Sequence, residues 1–142
     1  MYNDQAEEAM NFYTSIFEDG KIVSTFPGPD GKIMGGTFEI GGQRYSCYNG
    51  GPTFKFTQGF SLMVRADTQK EIDHYYEKLS EGGKQEPCGW LDDKFGVSWQ
   101  ITPKILMDNI TDPDREKSNR VTQAMFKMTK IIIADLEAAA AG

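Results

Sequence analysis

The segment CGWLDDKFGVSWQITP, residues 88–103, concentrates side chains that could contact or transform a small molecule. Two adjacent carboxylates, Asp92 and Asp93, could act as a general acid and base. Asp-Asp-Lys-Phe-Gly also has the composition of a tight turn, in which carboxylates accept backbone hydrogen bonds, and we favour that interpretation. Gln100 then stands out, because an amide inside an apolar strand can both donate hydrogen bonds to a ligand and accept them from it.

Aromatic residues beside predicted strands are the best sequence evidence for a binding pocket, although aromatic side chains also fill cores well. Trp99 and Gln100 are consecutive on a strand and therefore point to opposite faces of a sheet, so only one of them can line a pocket. Pocket and core roles both stay open for Gln100, whereas core packing is favoured for Trp99. The other candidates are Tyr48, Phe54, Phe56 and Trp90.

Reactive side chains elsewhere lack partners in the sequence. His74 is the only histidine, and a metal ligand or general base needs other groups around it, so we expect a surface or packing role. Cys47 and Cys88 would be nucleophilic only with a lowered pKa, and we expect both to behave as small apolar residues.

Composition excludes several classes of partner. The 142 residues are 39% hydrophobic and 25% charged, with a formal net charge of −6, which indicates one globular domain of ordinary size. An acidic chain cannot neutralise phosphates, so we expect no nucleic acid partner. No apolar run is long enough to span a membrane and no secretory signal is visible, so we expect a cytoplasmic protein with reduced thiols.

Hydrophobic periodicity predicts two similar helices, one capped by Asp4 and ending at Asp19-Gly20, the other starting at Asp67-Thr68 and ending at Gly82-Gly83. Shifted by 63 residues, these segments share six identities in 18 positions, which suggests an internal repeat. We therefore predict that each half consists of a strand, a helix and a meander of strands, and that the last strand of the second half is weak or absent. The predicted strands are 21–26, 32–40, 43–48, 60–66, 84–91 and 95–101.

The two ends of the chain carry further expectations. Asp112 and Pro113 predict the start of a C-terminal helix, and the Ala-rich end favours another. The apolar residues Val121, Met125, Met128 and Ile131–Ile133 exceed what a solvated tail should show, so we expect a homodimer. The repeat places the first strand of the first half at the very start, where only Met1-Tyr2-Asn3 are present. We therefore expect a truncated or misassigned start, or a partner segment covering that sheet edge.

The duplicated strand-helix-strand-strand-strand unit resembles the vicinal oxygen chelate superfamily, which includes glyoxalase I, bleomycin resistance proteins and extradiol dioxygenases. More narrowly, the chain resembles the PhnB-like family, also labelled the 3-demethylubiquinone-9 3-methyltransferase domain. Four segments carry this resemblance: AEEAMNFYTSIF, GGQRYSCYNGGPTFKFT, CGWLDDKFGVSWQITP and DPDREKSNRVTQAMFKM. It implies an α+β fold in which a duplicated βαβββ module forms a curved mixed sheet around a cleft. It places the modules at 1–58 and 59–110, followed by a helical extension, 111–142, that packs on the domain or on a dimer partner.

The resemblance also implies a divalent metal held by His or Gln on the first strand of each half and by Glu on the last. In the second half, Phe60 or Ser61 stands at the position on the first strand, and Gln100 stands at the position on the last strand. In the first half, Cys47, Tyr48 or Asn49 stands at the position on the last strand, and the position on the first strand falls at or before Met1. None of these is a strong ligand, so we expect no metal and no other cofactor. No glycine-rich loop for S-adenosylmethionine is present either.

The expected function is the binding of a small organic molecule in the cleft by Gln100, with Tyr48 lining the wall, and no catalytic residue can be named. The remaining candidate ligand contacts are Asn49, Ser61, Trp90 and Trp99. Two alternatives stay open: a metal-dependent isomerase or lyase of the glyoxalase type, and a resistance protein that sequesters a toxic compound without catalysis.

Overall fold

The computed structural model describes residues 1–142 and shows an α+β fold with two mostly antiparallel sheets and five α-helices. The chain forms two compact units, unit 1 (Met1–Thr57) and unit 2 (Gln58–Gly142). None of the helices has the length and apolar character needed to cross a membrane.

Unit 1 packs one helix on a three-stranded antiparallel sheet of order β1-β2-β3. The helix buries a stripe at helical spacing, with Ala6, Met10 and Tyr13 all less than 3% exposed. Tyr2 forms a parallel bridge with Asn49, just beyond the last strand, so the first residues of the chain join the edge of this sheet. The elements are α1 (Ala6–Ile16), β1 (Lys21–Pro27), β2 (Ile33–Ile40) and β3 (Gln43–Tyr48).

The predicted cap of α1 was wrong. Gln5, not Asp4, is the N-cap residue, and its side chain makes no capping hydrogen bond. Instead Asn49 Oδ1 accepts a hydrogen bond from the Ala6 N–H at 2.8 Å. A residue far along the chain thus satisfies one of the free amide groups at the start of the helix.

Unit 2 contains a four-stranded sheet of order β4-β7-β6-β5, in which β4 and β7 are parallel and the other pairs antiparallel. The helix α2 begins where Asp67-Thr68 predicted its start, and Thr68 is its N-cap residue and forms a capping box with Glu71. The elements are β4 (Ser61–Arg65), α2 (Gln69–Ser80), β5 (Lys84–Gln85), β6 (Trp90–Asp92), β7 (Ser98–Thr102), α3 (Lys104–Ile110), α4 (Arg115–Met125) and α5 (Ile133–Ala141).

The single strand predicted over residues 84–91 is instead two short strands, so the second half has the full meander that the sequence left in doubt. A 3-10 turn, Pro87–Gly89, separates β5 from β6, and Cys88 and Gly89 both have positive φ, 62° and 81°. The N–H groups of these two residues donate to Met128 O and Thr129 O. Carbonyl groups of the C-terminal tail therefore accept the hydrogen bonds that these N–H groups would have donated within a continuous strand.

The C-terminal tail differs from its prediction in two details. Asp114, not Asp112, caps α4 and accepts from the N–H groups of Glu116 and Lys117. The short helix α3 was not predicted. It follows directly on β7, where apolar and polar residues alternate too briefly for a helical stripe to stand out.

The tail packs on the rest of unit 2 through apolar and polar contacts. Val121, Ile131 and Leu136 are fully buried. The Gln69 amide of α2 donates to Ile131 O at 3.1 Å and accepts from the Ile133 N–H at 2.9 Å. Part of the apolar surface on which the homodimer expectation depended is therefore covered by the chain itself, and the homodimer stays a prediction.

Candidate functional site

The sheet of unit 2 has two unlike faces. Leu91, Trp99 and Ile101, none more than 2% exposed, form the face that packs with α2. The alternate residues form the opposite face, which we call the polar face of unit 2. Its members on β4, β7 and β6 include Ser61, Met63, Trp90, Asp92, Ser98 and Gln100.

Gln100 occupies the centre of the polar face. It is half-buried, and its Nε2 donates a hydrogen bond to Ser61 Oγ at 2.8 Å. In the strand register it is paired with Trp90 of β6 on one side and with Met63 of β4 on the other. Its carbonyl oxygen makes no hydrogen bond within the chain, so this acceptor is available to a ligand.

Asp92 lies in the next row of the polar face. One carboxylate oxygen accepts from Ser98 Oγ at 2.6 Å, and the other accepts from Gln58 Nε2 at 2.8 Å. Both donors are uncharged, so they orient the carboxylate. Lys84 of β5 lies opposite Asp92 in the strand register and also pairs with Glu86, so one lysine serves two carboxylates here.

Asp93 has a different role from its neighbour and stabilises the turn. It is 3% exposed, and Oδ1 accepts from the N–H groups of Phe95 and Val97 at 2.9 and 3.0 Å. Its Oδ2 accepts from Trp99 Nε1 at 2.9 Å. These contacts give Asp93 and Trp99 structural roles on the helix side of the sheet, away from the polar face.

In unit 1, Tyr48 and Phe26 meet over Gly35 of the central strand. Their ring centroids are 5.8 Å apart, and the residues are 48% and 40% exposed. A Cβ atom at position 35 would overlap Cys47 O and lie 2.6 Å from Phe26 Cζ, so glycine makes room for the neighbouring strand and for the Phe26 ring. Phe54 and Phe56, also candidates, are exposed at 61% and 36%, and Phe56 packs edge-on against Tyr2.

Asn49 is held by the fold. Besides capping α1 through Oδ1, it donates from Nδ2 to Ile33 O at 3.5 Å, so both ends of its amide are engaged within unit 1. These contacts explain an asparagine at this position without a ligand.

His74 and the two cysteines do not join either candidate surface. His74 is exposed on α2, with its ring 5.2 Å from that of Tyr75. Both cysteines are free thiols. Cys47 is 5% exposed, and burial raises the pKa of its thiol, which favours the neutral form and a packing role.

The residues at the expected metal positions do not fit a divalent ion. Ser61 stands where the resemblance implies His or Gln, and Gln100 stands where it implies Glu. The two side chains hydrogen-bond each other. A hydroxyl and a neutral amide are weak donors, and a stable site needs several strong donors that converge. No group of three or more His, Cys, Asp or Glu side chains in the chain is arranged to hold a metal ion.

S-adenosylmethionine does not fit the turn before α2 either. The turn Ala66-Asp67-Thr68 has no glycine, and Glu71 Oε2 accepts from the N–H groups of Asp67 and Thr68. Thr68 Oγ1 in turn accepts from the Glu71 N–H at 3.2 Å. The N–H groups of Asp67, Thr68 and Glu71 are thus bound by the chain's own side chains, and the glycine-rich loop that brings a backbone close to a cofactor is missing.

The strand register identifies site residues that the sequence analysis missed. Met63, paired with Gln100, and Gln58, bonded to Asp92, were not among the candidates. Alternation along the strand FSLMVRA places Met63 on the same face as Ser61, and that pattern could have identified it. Nothing local in the sequence connects Gln58 with Asp92.

The fold defines a class: an α+β protein of two units, each of which packs helix against sheet. A family model described as 3-demethylubiquinone-9 3-methyltransferase matches residues 1–102, and the chain belongs to this family, which contains the PhnB proteins.

The chain is similar to several solved structures, among them the following two. One is a PhnB protein from Bacillus cereus, named after 3-demethylubiquinone-9 3-methyltransferase, with 38% identity and a TM-score of 0.67 over 72% of this chain and 94% of that one. The other is the protein PA1353 from Pseudomonas aeruginosa, with 22% identity and a TM-score of 0.56 over 72% and 91%, which supports the fold alone. No curated protein is similar enough to the chain to count as a match.

Proposed function

We propose that the protein binds a small organic molecule on the polar face of unit 2 without the help of a metal ion. The observation that carries this proposal is the Gln100 side chain, whose Nε2 is held by Ser61 while its carbonyl oxygen has no partner within the chain. An amide fixed in this way loses little conformational entropy when a ligand binds, so more of the interaction energy contributes to affinity.

The apolar neighbours of Gln100 support the proposal. Trp90 is half-buried and Met63 is 55% exposed, so apolar surface flanks the polar amide on both sides. Binding sites for small molecules typically combine such apolar surface with a few fixed polar groups. In unit 1, the pair of Tyr48 and Phe26 offers a separate aromatic surface, and we propose Tyr48 as a ligand contact there.

Replacing Gln100 by alanine should weaken ligand binding while leaving the fold intact. The lost hydrogen bond to Ser61 costs about 1 kcal/mol of stability, because the side chain is only half-buried. A screen of small organic compounds by thermal shift identifies ligands, since a ligand that prefers the folded state raises the melting temperature. We expect each such shift to shrink in Gln100→Ala.

The matched control is Gln43→Ala, which removes an exposed glutamine from β3 of unit 1 and should leave ligand shifts unchanged. A screen without any hit, or hits that Gln100→Ala leaves intact, would refute the proposed site. Mass spectrometry of compounds that copurify with the protein adds an independent source of candidate ligands.

Elemental analysis should find far less than one Zn, Mn, Fe or Ni ion per chain in the purified protein. The reason is chemical, because Ser61 and Gln100 provide only weak donors at the expected metal positions. The protein is incubated with each metal and then dialysed before the measurement. About one ion per chain that survives dialysis, and is lost in Gln100→Ala, would contradict the metal-free proposal.

A further inference from the structure

Building on the proposed function, we infer the chemical class of the ligand: a flat, uncharged ring compound that carries an N–H or O–H donor. The inference concerns the row formed across three strands by Trp90, Gln100 and Met63, which we call the central row. Shape, hydrogen bonding and charge at this row each restrict the ligand.

The shape of the central row favours a ring. Neighbouring strands lie about 4.8 Å apart, so Trp90 and Met63 flank the Gln100 amide across a width of about 10 Å. An indole and a thioether both make favourable contacts with aromatic rings. A flat ligand lying on the face can therefore touch both apolar side chains while its polar edge reaches the amide.

Hydrogen bonding at the row favours a ligand that donates. Gln100 Nε2 donates one of its two hydrogens to Ser61 Oγ, and the second hydrogen and the carbonyl oxygen make no hydrogen bond in the chain. A ligand N–H or O–H satisfies the carbonyl oxygen. A ligand with acceptors alone pairs only with the second N–H and leaves the carbonyl oxygen unpaired.

Charge around the row disfavours anions. Asp92, two residues from Trp90 on β6, lies opposite Lys84 in the strand register, and Lys84 also pairs with Glu86, so one cation is shared by two carboxylates. The other nearby cation is Arg65, whose Nε lies 2.7 Å from Asp67 Oδ2. Three carboxylates thus surround two cations, and an anionic ligand about 7 Å from Asp92 would add to this excess of negative charge.

Three compounds with the same ring test this class. Benzamide is neutral and has an N–H donor, methyl benzoate is neutral without a donor, and benzoate is an anion. Each is titrated into the full-length ¹⁵N-labelled protein, and the side-chain signals of Gln100 and Trp90 are followed by NMR. We expect saturable shifts with benzamide. The dissociation constant should be at least threefold higher for methyl benzoate than for benzamide, and at least fivefold higher for benzoate than for benzamide.

Two variants locate the effect. Gln100→Leu removes the acceptor at similar volume and should abolish the preference for benzamide over methyl benzoate. Gln43→Leu makes the same change on an exposed strand of unit 1 and should keep that preference. Shifts centred away from Gln100 and Trp90 would overturn the inference.

The outcomes separate this inference from the proposed function. Equal or tighter binding of benzoate at the central row would overturn the ligand class and leave the binding site standing. Failure of all three compounds to perturb the row would also overturn the class, while a hit from the thermal-shift screen that depends on Gln100 would keep the proposed function. If none of the three compounds perturbs the row and no screening hit depends on Gln100, both the ligand class and the proposed function are refuted.

Discussion

Replacing Trp99 by alanine is expected to lower the free energy of unfolding by about 3–5 kcal/mol, the range for deleting a large buried aromatic side chain. Trp99 is 2% exposed on the face that packs with α2, beside the fully buried Leu91 and Ile101. Truncation removes apolar contact area, leaves a cavity and breaks the hydrogen bond to Asp93. Urea denaturation followed by far-ultraviolet circular dichroism measures the change without relying on tryptophan fluorescence.

Trp90→Ala provides the matched control for this prediction. Trp90 lies nine residues earlier, on the polar face, and is only half-buried, so its removal should cost about 1–2 kcal/mol. Ligand shifts should fall in Trp90→Ala, whereas core packing alone predicts no such change. Equal losses of stability in the two variants would contradict the assignment of the two tryptophans to opposite faces.

Replacing Asp93 by alanine is expected to lower the free energy of unfolding by about 3 kcal/mol or more. The carboxylate is 3% exposed and accepts hydrogen bonds from two backbone N–H groups and from the Trp99 indole. Its removal leaves these donors without an acceptor where water has little access, and each buried unsatisfied group costs about 1–3 kcal/mol. Denaturation midpoints at neutral pH measure the effect.

Asp92→Ala is the control for Asp93→Ala, because the neighbouring carboxylate is half-buried and accepts only from Ser98 and Gln58. We expect a loss of about 1 kcal/mol there. A double variant of Asp93 and Trp99 should lose less stability than the sum of the two single variants, since both remove the same hydrogen bond. Additive losses would show that this bond contributes nothing.

Local patterns in the sequence predicted much of the fold. The positions of α1 and α2 follow from apolar residues at helical spacing, and the start of α2 was predicted at Asp67-Thr68. The strand β3 was predicted with the same bounds as the structure has. Because side chains alternate along a strand, the opposite orientation of Trp99 and Gln100 also followed from the sequence.

Contacts between distant residues could not be predicted in this way. Asn49 caps a helix 43 residues earlier, and the break between β5 and β6 depends on hydrogen bonds from Cys88 and Gly89 to a tail about 40 residues later. These partners share no local pattern. The predicted cap at Asp4 and the predicted strand over 84–91 were wrong for this reason.

By itself the sequence determined the family resemblance, the main helices and strands, and the placement of Gln100 opposite to Trp99, because each of these depends on local spacing and backbone geometry. Only the tertiary structure decided that Gln100 bonds Ser61, 39 residues earlier, and that Trp90 and Met63 flank it. Strand order and register bring these residues together, and both are set by packing over the whole unit. The chemistry of the polar face therefore belongs to the folded sheet.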